Sequence, residues 1–158
     1  MDFEGKKCLA DEFCETQPDL FSEILALKQM EISRERVEFV LNIVLICFLA
    51  VRKSGKFLPQ IRQDEINRET ARFLEIVGIE NWFNQLSIDK ALNQTLRSSP
   101  EKVLSGFTYT ELILFYYNVL REKNDKYLIM VTTALVNCIE CALSEHNNQF
   151  HPTQKTHG

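Results

Sequence analysis

Cys138 and Cys141, followed by His146 and His151, come closest in type and spacing to a chemical site. Intervals of two, four and four residues match a small zinc knuckle with histidine last, and four such ligands can close a tetrahedral zinc site. A knuckle wraps its metal in a tight, glycine-containing loop, however, and these cysteines lie in Leu135 to Leu143, a strongly apolar run of helical character. Buried thiols in such a run behave as small hydrophobes. The same pair is formally a CxxC redox motif. A low thiol pKa there needs a helix N-terminus or adjacent cations, whereas these cysteines fall in the C-terminal half of a helix, beside Glu140. No metal and no cofactor is therefore expected.

Acid–base or nucleophilic catalysis usually needs a positioned histidine or a carboxylate in a cleft. All three histidines, His146, His151 and His157, fall at the end of the last helical run or beyond it. Two acidic pairs, Glu35 with Glu38 and Glu122 with Asp125, could face each other across a bundle and hold magnesium, as in all-helical nucleotide pyrophosphatases. That makes a magnesium-dependent all-helical hydrolase one alternative. The five isolated glycines assemble neither a phosphate-binding loop nor a dinucleotide fingerprint.

Nucleic acid calls for cationic donors. Lys53, Lys56, Arg62, Arg68 and Arg72 form a basic stretch: Arg52 to Arg72 holds six cations against three acids. Such a face could bind a phosphate backbone without reading sequence. Interleaved Asp64, Glu65 and Glu69 weaken it, ion pairs along the helix explain it more simply, and a helix-turn-helix placed around Gly78 would have no Lys or Arg in its second helix. A nucleic-acid-associated regulator is thus a second alternative. The aromatic residues Trp82, Phe83, Tyr116 and Tyr117 suit a protein interface instead. Phe115, Tyr116 and Tyr117 are consecutive, so they point to different sides of a helix, and tyrosine combines a large apolar body with a polar handle.

Whatever positions these residues is helical. Phe39 to Val51 and Tyr127 to Leu143 are almost unbroken apolar stretches, long enough for buried helices; the first is shorter than the roughly 20 residues a bilayer requires. A transmembrane span is not expected. Ser33 reads as the N-cap of a helix reaching about Ser54, with Gly55 as its stop. Pro59 suits the first turn of a third helix, which Gly78 ends. Thr108 and Glu111 read as a capping box opening Tyr109 to Lys123. No stretch alternates in the β manner.

The expectation is an all-α, single-domain bundle of six to eight helices, with Arg36 to Arg52 and Lys126 to Ser144 as its central pair. Residues 1–17 read as an acidic mobile arm or short docking helix, 18–146 as the helical domain and 147–158 as a disordered polar tail. The 158 residues carry a net charge of −4, which disfavours generic polyanion binding. Five cysteines without framework spacing, and no apolar signal-peptide core, imply a reducing, intracellular and cytoplasmic setting. The expected function is a non-enzymatic regulatory or adaptor role: binding another protein, or a second copy of itself, through an apolar helical groove or face.

Overall fold

The computed structural model describes residues 2–78, 88–98, 103–118 and 122–150; at 88, 89, 91, 98, 117 and 146–150 it describes the backbone alone. Among these residues there are seven α-helices and no strand: α1 (Phe3–Thr16), α2 (Pro18–Ala26), α3 (Arg34–Lys53), α4 (Gln63–Val77), α5 (Ile88–Ser98), α6 (Val103–Asn118) and α7 (Asp125–Phe150). A short 3-10 turn, Leu27–Met30, links α2 to α3.

The two apolar runs become the central helices. α7 packs against α3, α4 and α6, and every residue from 131 to 140 is buried, as a helix that is apolar nearly all round requires. Within Asp125–Glu145 this helix is, by length and composition, apolar enough to cross a membrane, and 72% of that window is enclosed by the fold. Ser33 caps α3 by accepting from the Arg36 N–H. Gly55 and Gly78, at φ 73° and 84°, make the turns that follow α3 and α4, a region costly for side chains with a Cβ.

Four elements differ in part or whole from the sequence expectation. Residues 3–16 form a helix, the second of the two forms expected for them, and not a mobile arm. Asp2 caps it, accepting from the Gly5 N–H at 2.7 Å. Its Leu9 and Phe13 enter the core, and Phe13 meets Phe48 edge-on with centroids 5.4 Å apart. Burial of two large apolar side chains outweighs the polar composition of the rest.

Pro59 does not open a helix. The preceding loop is strapped by Gln17, whose Nε2 donates to the Pro59 carbonyl at 3.0 Å and whose Oε1 accepts from the Ile61 N–H at 2.9 Å. α4 begins at Gln63, where the Asp19 carboxylate accepts the Gln63 N–H at 3.0 Å. Thr108, expected as an N-cap, lies buried within α6 instead. In the first turn of that helix, Glu140 of α7 accepts both the Ser105 N–H and the Ser105 hydroxyl at 2.8 Å. At the other end of the chain, the helix expected to stop near His146 continues to Phe150, and residues 151–158 of the expected tail lie outside the described residues.

Candidate functional site

The polar groups that the sequence offers for chemistry are mostly engaged in holding helices together. Arg36, at the start of α3, is buried. Its Nε donates to Asp125 at 2.8 Å and its Nη1 to Glu122 at 2.9 Å, and its guanidinium lies 5.8 Å from the Phe115 ring centroid. Burial opposes its charge, but the hydrogen bond and charge of Asp125, helped by Glu122 and Tyr116, leave its pKa raised. Asp125 also accepts the Glu122 N–H at 2.7 Å.

The supposed magnesium set is consequently divided. Glu122 and Asp125 neutralise Arg36, while Glu35 and Glu38 are exposed and Glu38 pairs with Arg34. Among the described residues no three His, Cys, Asp or Glu side chains converge on a point where a metal could sit.

Cys138 and Cys141 face α4. Cys138 Sγ lies 3.7 Å from the Glu65 carbonyl oxygen and Cys141 Sγ 3.6 Å from Glu69 Oε1. Burial, then the Glu69 charge, push the Cys138 thiol up, and the same two causes push Cys141 up to about 11. Both are thus held in the protonated form, the opposite of what redox attack by a thiolate needs. The proposed fourth ligand, His151, lies outside the described residues, as does the side chain of His146.

The basic residues are distributed over several elements. Lys53 ends α3, Lys56 lies in the following loop, Arg62 precedes α4, and Arg68 and Arg72 sit on α4. Arg72 Nη1 lies 3.5 Å from Glu69 Oε2. The aromatic candidates fare differently. Tyr116, expected at the surface, is only 7% exposed, because α6 turns it toward the core beside Phe115, with ring centroids 5.2 Å apart and planes near perpendicular. Trp82 and Phe83, and the side chain of Tyr117, lie outside the described residues.

What the structure does provide is a trough along the outer side of α3. One half, about 340 Å³, lies between α2 and α3, with Phe21, Leu25, Val37 and Leu41 in its lining. The other, about 370 Å³, lies between α1 and α3, with Phe3, Ala10, Leu41 and Leu45. The halves meet at Glu38 and Leu41, which line both. Phe3, in the α1 half, and Leu25, in the α2 half, remain 79% and 41% exposed. Sequence reasoning expected an apolar helical groove or face but did not place it along α3. The available signal was Glu38, Asn42 and Ile46 at four-residue intervals, which marks one outward stripe on the helix; Ile46 is indeed exposed.

Comparison with known proteins returns no matching family model, no matching curated protein and no matching solved structure.

Proposed function

We propose that this chain is a non-enzymatic regulatory or adaptor protein of the intracellular, reducing compartment, and that it binds another protein through the trough between α1, α2 and α3. The observation that carries the reading is the trough itself: two apolar hollows joined at Leu41 and flanked by large side chains left in water. Grooves with apolar floors are what helical protein ligands occupy. The polar clusters add support, since Arg36 with Asp125, Glu140 with Ser105, and Cys141 with Glu69 are all taken up within the fold. Five cysteines without a disulfide suit a reducing setting.

The test is affinity capture from native cell extract after nuclease treatment, read by mass spectrometry for three baits: the wild-type chain, Phe3→Glu/Leu25→Glu, and Leu114→Glu as an exposed control on α6. A stoichiometric partner is expected with the wild-type and control baits, at least about tenfold reduced with the double variant. All three baits should keep the same thermal midpoint, because the replaced side chains are exposed. A partner that the double variant retains in full overturns the groove assignment. A partner lost on nuclease treatment shifts the reading to nucleic acid.

A further inference from the structure

Resting on that reading, we infer that the trough takes an amphipathic helix of another protein with acidic residues flanking its apolar stripe. Three observations lead there. The first is the backbone chemistry of the walls. They are helices, whose main-chain groups are already paired, and no strand edge exists among the described residues. An extended peptide would leave its own N–H and C=O groups without partners over an apolar floor; a helix satisfies them internally.

The second is charge. The trough is rimmed by Lys6 and Lys7 in the α1 half and by Lys28 and Arg34 in the α2 half. Glu38, at the junction, is the single acid of the lining, and Arg34 holds it at 2.9 Å. Four cations against one acid invert locally the net charge of −4 that the whole chain carries. Lys6, Lys7 and Lys28 make no ion pair among the described residues. Cations in both halves select a ligand with acids flanking its apolar stripe at more than one place, which a single-headed anionic amphiphile lacks.

The third is size. Arg34 and Leu45 are eleven positions apart on α3, about 17 Å at 1.5 Å per residue. That length accepts about three helical turns, with apolar anchors at i, i+4, i+7 and i+11. A folded second copy of this chain is the poorer occupant. The exposed large apolar residues are scattered as Phe3, Leu25, Met30, Ile46, Phe57, Val103 and Leu114, and no described helix carries more than two of them.

The experiment is fluorescence anisotropy with the full chain and labelled peptides of about 16 residues, each carrying leucines at those four spacings. One ends in paired glutamates at both termini, one in paired lysines, and a third repeats the glutamate peptide with a central proline. The acidic peptide is expected to bind at least about tenfold tighter than the basic one near 50 mM salt, with the preference shrinking at about 500 mM. Lys6→Glu/Lys28→Glu should reverse the preference, and the proline peptide should bind at least about tenfold more weakly. Equal binding of the acidic and basic peptides, or indifference to the lysine reversal, overturns the charge assignment; an unaffected proline peptide overturns the helical one. If these fail while Phe3→Glu/Leu25→Glu still loses the captured partner, the docking role of the trough stands and only the ligand class is wrong.

Discussion

The side-chain amide of Gln17 closes a gap that no helix spans. Enclosed between α1 and α2, it pairs with the Pro59 carbonyl and the Ile61 N–H, 42 and 44 residues away. Both backbone groups would otherwise face a core that includes the buried Ile61 side chain. Gln17→Met keeps the volume and strands both groups, so it is expected to cost about 2–4 kcal/mol. Gln17→Glu keeps the acceptor for Ile61 but no longer donates to Pro59 while ionised, and should fall between the two. Urea midpoints of the three proteins at neutral pH check this. A Gln17→Met protein as stable as the wild type would show that water reaches the strap and the amide contributes little.

At the scale of the helix, α6 shows what local sequence rules reach and what they miss. Its apolar content announces a helix, but Thr108 and Glu111 suggest a start at Tyr109, six residues after Val103; the Ser105 N–H in its first turn is instead taken by Glu140, 35 positions downstream on α7. The same blindness applies to Asp19, which caps α4 from 44 positions upstream. Rules spanning one helical turn recover Ser33 before α3 and Gly78 after α4, and miss caps supplied across the bundle. α6 holds Gly106 in its first turns, next to Ser105, where an added Cβ would meet nothing within 4 Å. Gly106→Ala should therefore stabilise the protein by about 0.5–1 kcal/mol, the usual helix-propensity difference, seen as a raised thermal midpoint. A lowered midpoint would mean that α6 does not run through Gly106 as an unbroken helix.

Over the whole molecule, the central pair α3 and α7 was legible because two long apolar runs in one chain have to enclose each other. A groove was expected and Glu38 and Asn42 mark the outward side of α3, but where the trough lies and how far it runs depend on where α1 and α2 stop covering α3, a matter of packing. The same core carries three thiols on opposite flanks of α7: Cys47 on α3, beside Thr108, and Cys138 and Cys141 against α4. Burial pushes Cys47 up to about 12, with the Thr108 hydroxyl opposing the rise, and it raises the other two as well. An unfolded thiol ionises near its ordinary value of 9.0, while these stay protonated in the folded state. Their contribution to stability is complete below that value and is lost as pH climbs toward the folded pKa values, since the unfolded chain then gives up protons that the folded chain keeps. Only global unfolding exposes both flanks of α7 together. The urea midpoint of the wild type should accordingly fall more between about pH 8 and about pH 10.5 than that of Cys47→Ala/Cys138→Ala/Cys141→Ala, whatever the variant's lower starting stability. Parallel falls would show that the thiols ionise as readily inside the fold as outside it, and that the interfaces of α7 with α3 and α4 admit water.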